Sequence, residues 1–282
     1  MLITHIGFGL AGGLAAAALA YRSRSLSRSG ALAAACVGGA LYAFGGPIWY
    51  GLLLVFFATS TGWSKWKKAR KQAAEKTYEK GSRRDAGQVL ANGGLGALLC
   101  IICYIWPNAG WLYAFIGVMA SVNADTWATE IGGLSRTEPR SILTFKRVPR
   151  GTSGAVSWLG SAAAGAGALT IGAAAVLFMR IGDLGNHNTL SIGIPSIQDA
   201  LFILLLAIVG GLAGAFADSL IGATVQRMNR CVICRAELEQ AEHCEHRTEH
   251  MRGLRWMNND SVNGISSLVG GLAAWLIGYL VF

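Results

Sequence analysis

The segment "VMASVNADTWATEIGGLSRT", residues 118–137, poses the question on which the fold turns. It is apolar enough for a membrane span, yet it carries Asn123, Asp125 and Glu130. An ionised carboxylate at the centre of a bilayer costs about 2.5–3.5 kcal/mol or more, so it normally faces a protein interior and serves a purpose there. Whether Asp125 lies in a membrane, on which side, and what it faces follow from the rest of the chain.

Hydrophobic residues make up 53% of the 282, charged residues only 14%, and the mean hydropathy is +0.44. Apolar runs near or above ~18 residues recur throughout. The 38 glycines fit this pattern, because small residues let membrane helices approach closely. The expected fold is an all-α integral membrane protein, a polytopic bundle of about eight transmembrane helices forming a single membrane domain over residues 1–282. Spans are expected near 2–21, 30–45, 48–63, 86–106, 111–131, 153–179, 200–227 and 260–281. The break at Gly45-Gly46-Pro47 reads as a turn between two spans, the alternative being a kink in one long helix. Residues 18–20, "ALA", have the shape of a signal-peptide cleavage site, but no basic stretch precedes the apolar run, so an uncleaved first span is expected.

Two spans over 30–63 leave four loops on one side: 22–29, 64–85, 132–152 and 228–259. Every Lys and Arg except Arg180 lies in those loops or, for Arg227, at the edge of one. By the positive-inside rule the four loops are cytoplasmic and both termini lie outside, in the cell membrane if the source is bacterial. Loop placement also accounts for the net charge of +9, and the run "SKWKKARKQAAEKTYEKGSRR" at 64–84 suits anionic lipid head groups. Nucleic-acid binding is not expected. Cys36, Cys100 and Cys103 fall in spans and read as small packing residues. Cys231, Cys234 and Cys244 fall in a cytoplasmic loop, where disulfides do not persist.

With this topology the span carboxylates share a side. Asp125 lies about 9 Å from the cytoplasmic end of its span at ~1.5 Å per residue. Asp218, in "GAFADSLIGATVQ", lies near the cytoplasmic end of the seventh span, and Asp260, in "NNDSVNGISS", opens the eighth. Gln88, Asn92 and Asn263 occupy the same level, and Asn123 precedes Asp125 by two residues. A proton or ion pathway would need polar groups across the whole thickness. The cluster found here suits Mg²⁺, which takes hard oxygen ligands, usually one or two carboxylates together with substrate phosphates. The alternative is that each Asp merely bonds a neighbouring helix. Whether Glu130 shares the site depends on the helix: it lies ~140° around from Asp125 at 3.6 residues per turn, so sharing is expected to need a helix break.

The loop "FKRVPRGTSGAVS", 145–157, brings Lys146, Arg147 and Arg150 to "GTSG", Gly151-Thr152-Ser153-Gly154, ahead of a long helix. Free N–H groups and the positive end of a helix dipole favour a phosphate there, although Thr152 or Ser153 would also serve as a plain N-cap. Carboxylates for Mg²⁺ and cations for phosphates suit phosphoryl transfer, which rests on positioning and charge stabilisation. No Walker pattern is present, so a P-loop enzyme is excluded. A membrane-embedded site open to the cytoplasm implies a lipid substrate.

The motifs "NADTWATEIG", "KRVPRGTSGAVS", "ADSLIGATVQ", a Cys-x-x-Cys and His-Cys loop, and "NNDSVN", with "FFATSTGWSKWK" and "GQVLANGG" upstream, resemble the transmembrane protein 19 family, which includes the plant phytyl-phosphate kinase. The order Asp125, Gly132, Lys146, Gly151 is also similar to a looser pattern in CTP-dependent dolichol and phytol kinases and in phosphatidate cytidylyltransferases. The resemblance implies transfer from a nucleoside triphosphate, CTP favoured, to a prenyl monophosphate, giving the diphosphate. It implies Asp125 and Asp218 near the metal, and Lys146 with the Gly151–Gly154 loop near phosphate. The expected catalytic set is Asp125, Lys146, Asp218 and Asp260, the three carboxylates as Mg²⁺ ligands. Arg147, Arg150, Gly151, Thr152, Ser153, Gly154, Asn92, Asn123 and Asn263 are the expected nucleotide or phosphate contacts. A lipid cytidylyltransferase or a prenyl-alcohol kinase is the alternative among enzymes; a carrier or flippase for phosphorylated lipids is the alternative from another class.

The loop 228–259 offers Cys231, Cys234, His243, Cys244 and His246. Cys-x₂-Cys with a later His-Cys pair can supply four tetrahedral Zn²⁺ ligands, and metal-free reduced thiols are the alternative.

Overall fold

The computed structural model describes residues 2–66, 83–183 and 196–281. Seven helices run through them: α1 (Leu2–Arg22), α2 (Arg28–Lys65), α3 (Ala86–Ile105), α4 (Ala109–Gly132), α5 (Trp158–Asp183), α6 (Ile197–Thr224) and α7 (Asn259–Val281). Polar side chains fix several starts. Ser27 accepts from the Gly30 N–H, Asp85 and Gln88 form a reciprocal capping box, and Asn108 and Ser196 cap α4 and α6. Five of the seven, α2, α3, α5, α6 and α7, are long and apolar enough to cross a membrane. Leu32, Leu98, Leu201 and Leu276 stand exposed along them, and Trp106, Trp158 and Trp256 are exposed at or beyond helix ends. That is the surface of a helical integral membrane protein, with aromatic rings at the interfacial level.

α4 holds the bundle together and carries the opening segment. It touches α2, α3, α5, α6 and α7, and its residues from Leu112 to Ala124 are buried apart from Tyr113. Ser121 and Asn123 therefore face protein, and Asp125 and Glu130 beyond them are part-buried. Close approach depends on small residues: Gly117 of α4, Gly210 of α6 and Gly270 of α7 meet so that a Cβ on Gly210 would lie 2.8 Å from the Gly270 oxygen and 2.9 Å from the Gly117 Cα.

α2 is interrupted at Gly46, with φ 74° and ψ −160°, immediately before Pro47. Its two arms lie side by side. A Cβ on Gly38 would stand 3.1 Å from the Tyr50 ring and 3.8 Å from Leu53, and the rings of Tyr42 and Tyr50 meet edge-on at 5.8 Å. Along one straight helix residues 38 and 53 would be about 22 Å apart. The break is a reversal, not a gentle kink.

Short strands depart from the all-α expectation. β1 (Arg140–Ser141) pairs antiparallel with β2 (Ala155–Val156). β3 (Met228–Arg230) lies between β4 (Glu237–Leu238) and β7 (Glu249–Arg252), while β5 (Glu242–His243) and β6 (His246–Arg247) form a hairpin. The first pairing explains why the helix expected from residue 153 begins only at Trp158: Ala155 and Val156 are extended against β1. Most of the basic run 64–84 and of the 183–198 connection lies outside the described residues.

Candidate functional site

A cavity of about 300 Å³ lies at one end of the bundle, where the C-terminal parts of α4 and α6 meet the N-terminal parts of α3, α5 and α7. Asp125 and Asp218 both line it, with Asn92, Thr126, Ser219 and Asn263. The two carboxylates are near enough to feel each other's charge, and no cation pairs with either among the described residues. Ser266 donates to Asp218 Oδ2 at 3.3 Å. Thr126 and Ser219 donate to the backbone oxygens of Val122 and Ala215 in their own helices, leaving the hydroxyl lone pairs available. Two carboxylates flanked by hydroxyl and amide oxygens are a hard-oxygen donor set that fits Mg²⁺.

The glycine loop forms another wall, through Arg150, Gly151, Thr152, Ser153 and Gly154. Gly151 and Gly154 adopt left-handed backbone, φ 83° and 78°. Ser153 Oγ has its one hydrogen within reach of both the Gly222 oxygen and Gln226 Oε1, which fastens the loop to the end of α6. Neither Thr152 nor Ser153 caps the following helix. Ser157 does so, accepting from the Gly160 N–H at 3.1 Å, and Ser157, Gly160 and Ser161 bring the start of α5 to the cavity.

Four expected site residues are not on this wall. Asn123 is buried about half a turn deeper, donating to the Gly167 oxygen at 2.8 Å and accepting from Thr59 Oγ1 at 3.1 Å, so it pegs α2, α4 and α5 together. Lys146 and Arg147 are exposed in the turn after β1, where the Lys146 oxygen accepts from the Ser141 N–H. Asp260 lies in the first turn of α7 but off the cavity wall, which its neighbours Asn259 and Asn263 reach.

Glu130, whose place in the site the sequence made conditional on a helix break, and several residues that it did not single out complete the wall. Glu130 lines the same cavity as Asp125 without any break in α4, because the cavity wraps around the last turns of that helix. Ser64 donates to Glu130 Oε1. Gln226 and Glu239 close the far side, joined by a 2.9 Å bond from Gln226 Nε2 to Glu239 Oε1. Arg84 lines the cavity beside α3; Nη2 donates to Ser60 Oγ at 3.0 Å, and Phe56 and Phe57 lie 5.4 and 5.6 Å from its guanidinium carbon. Burial pulls Arg84 down to about 10, with the Glu130 charge acting the other way, so it stays cationic at neutral pH. The only sequence signal for it is a position directly before the Asp85 cap.

In the 228–259 loop, ligand atoms of Cys231, Cys234, His243 and Cys244 all lie within 4.8 Å of one another. Bonds from the Cys234 backbone chiefly pull the Cys231 thiol down to about 6, while burial first and the neighbouring thiols next push Cys244 up to about 11. His246 is not in the group; its Nδ1 meets the Cys244 oxygen at 2.9 Å.

No solved structure matches the chain. Among curated proteins, Protein PGR of Arabidopsis thaliana is 29% identical over 280 residues, covering 93% of this chain and 92% of its own. The uncharacterized membrane protein MJ0933 of Methanocaldococcus jannaschii is 31% identical over 256 residues, covering 91% and 87%. Protein VTE6, chloroplastic, of Arabidopsis thaliana is 24% identical over 258 residues, covering 89% and 65%. The integral membrane protein DUF92 family model matches residues 11–271, so the chain belongs to that family, the transmembrane protein 19 and phytyl-phosphate kinase group that its motifs resemble.

Proposed function

We propose that the protein is a nucleotide-dependent kinase, CTP favoured, that converts a prenyl monophosphate to the diphosphate at the cytoplasmic face of the membrane. The observation that carries this reading is the shared cavity: Asp125 and Asp218 stand on one wall, and Arg150 with the Gly151–Gly154 loop on another. The α2 reversal supports eight passes with both termini outside, which brings the cavity and the basic loops to the same side. In a bacterial source this would be the cell membrane.

In the reaction an oxygen of the lipid monophosphate bonds to the γ-phosphorus as the bond from that phosphorus to the β–γ bridging oxygen breaks, and the nucleoside diphosphate leaves with that oxygen. The attacking phosphate, with its second pKa ≈ 6, is largely ionised at pH 7 and needs no base to remove a proton. Asp125 and Asp218 would hold Mg²⁺, and bound there it would offset charge on the nucleotide oxygens. Arg150 contributes a cation to the triphosphate, and the left-handed glycines bring backbone close to it. Gln226 and Ser153 fix that loop against α6 and so set its distance from the carboxylates.

The test is conversion by purified protein in detergent, with geranylgeranyl monophosphate, Mg²⁺ and each of CTP, UTP and ATP, followed by mass spectrometry of the lipid. Nucleotide-dependent diphosphate is expected. Recovery of unchanged lipid with every nucleotide, from protein that binds the lipid, would favour the carrier reading instead.

A further inference from the structure

An apolar groove between α1, the two arms of α2 and α3 ends at the polar cavity. Ala16, Ala17, Ala34, Leu53 and Phe57 line it, and Arg84, Gln88 and Asn92 belong to both the groove and the cavity. Arg84 is fixed at this junction: its N–H donates to the Ser25 oxygen at 3.0 Å, and its oxygen accepts from the Ser27 N–H at 2.9 Å. Phe56 and Phe57 flank the guanidinium, and Nη2 is held by Ser60. Nη1 is buried and has no hydrogen-bond partner. A charged donor left buried without its hydrogen bond is costly to the fold, so such an atom calls for a ligand.

We infer that the groove takes the hydrocarbon chain of the prenyl monophosphate and that Arg84 Nη1 takes its phosphate, with Gln88 and Asn92 beside it. The inference rests on the kinase reading for the lipid's identity. It divides the cavity: lipid phosphate enters past α3 and Arg84, nucleotide past the glycine loop and α6, and the two meet at the end of α4 that carries Asp125. An apolar channel leading to a cation with a hydrogen-bond donor to spare matches a long apolar chain ending in one anion. Arg84 is then a substrate-binding residue, and the groove walls set chain length.

The experiment is photo-crosslinking of the full-length protein in detergent, using a long-chain prenyl monophosphate with a terminal diazirine, read by peptide mass spectrometry. Adducts are expected on the facing surfaces of α1 and α2 around Ala16, Ala34 and Leu53, competed by geranylgeranyl monophosphate at least ~10-fold better than by geranylgeraniol. Arg84→Gln should abolish that preference for the monophosphate while leaving CTP affinity within about twofold. Ala34→Trp should weaken long-chain binding and spare dimethylallyl monophosphate. Adducts confined to other helices, or equal competition by the alcohol, would overturn the inference whether or not the protein turns over. Groove adducts with full phosphate preference in a protein that transfers nothing would leave the groove standing and remove the kinase reading.

Independently, the geometry points to a structural zinc ion held by Cys231, Cys234, His243 and Cys244. Tetrahedral Zn²⁺ with Zn–S ≈ 2.3 Å requires ligand atoms roughly 3.4–3.8 Å apart. His243 Nδ1 already stands 3.5 Å from Cys234 Sγ and 3.2 Å from Cys244 Sγ, and the whole set fits within 4.8 Å. Arg235, Cys244 and Glu245 all have positive φ, in the tight turns that follow Cys234 and His243. The ion would brace the strands that seat Gln226 and Glu239 on the cavity. Arg252 of β7 carries the brace to α6, donating to the oxygens of Gly222 and Ala223. Elemental analysis of protein purified without chelator should find about one zinc per chain, lost in Cys234→Ser and Cys244→Ser and retained in His246→Ala. Co²⁺ added to apo-protein should give thiolate absorption and tetrahedral bands. Zinc-free protein that Co²⁺ leaves colourless would refute the site.

Discussion

Gly154 of the glycine loop lies directly against Ala223 near the end of α6, and no side chain fits between them. The contact holds the loop at a fixed height above the carboxylates of α4 and α6. Gly154→Ala adds a collision with the Ala223 Cβ to a left-handed backbone that costs an L-residue about 1–2 kcal/mol. Folded, membrane-inserted Gly154→Ala should bind nucleotide at least ~10-fold more weakly and retain its affinity for the prenyl monophosphate. Equilibrium binding of each ligand checks this.

Asp125 and Asp218 act on the same charge in this account, so their losses should not multiply. Asp125→Asn and Asp218→Asn should each cost on the order of 10²-fold or more in kcat, the scale of losing one charge-stabilising group. The double variant should be little worse than either single one, as groups acting as a unit are strongly non-additive. Near-normal turnover in either single variant removes that carboxylate from the site.

The cations of the 145–150 stretch should separate. Both are exposed, but Arg150 lines the cavity and donates from Nη2 to the Arg136 oxygen, whereas Lys146 does not line it. Arg150→Ala should therefore raise the KM for nucleotide about 10-fold or more, and Lys146→Ala should change it by less than about threefold. Steady-state kinetics on the two variants decides between them.

Much of the bundle is legible in the sequence because hydropathy and capping residues act locally. The helix starts at Ser27, Asp85 and Asn108 follow that logic. Asp125, Asp218 and the glycine loop are legible for a related reason: a carboxylate or a left-handed turn at a span end has few bland uses. Arg84 and Glu239 are not legible, since each reaches the cavity only through tertiary packing of a loop that reads as a solvated or topogenic stretch. Lys146 shows the converse. Its charge and spacing suit a phosphate site, but the β1–β2 pairing turns that segment away and presents Arg150. Asn123 is separated from Asp125 by one residue, and that step of ~200° around α4 carries it from the cavity into the α2–α5 interface.

The side of the membrane on which the cavity opens is testable apart from its chemistry. Thr137→Cys, beyond the end of α4, should resist an impermeant thiol reagent in intact cells, and Pro107→Cys, in the turn between α3 and α4, should react. The opposite pattern would place the cavity on the outer face, away from nucleotide.

The most direct measurement of the central claim follows the γ and the α phosphorus of the nucleotide separately. Purified protein is given geranylgeranyl monophosphate, Mg²⁺ and CTP carrying label at either the γ or the α position. Transfer of the terminal phosphoryl group puts γ-label into the lipid diphosphate and leaves α-label in CDP, with both losses suppressed by Asp125→Asn. Appearance of α-label in the lipid would make the reaction nucleotidyl transfer, and absence of label from the lipid in both cases would contradict the account.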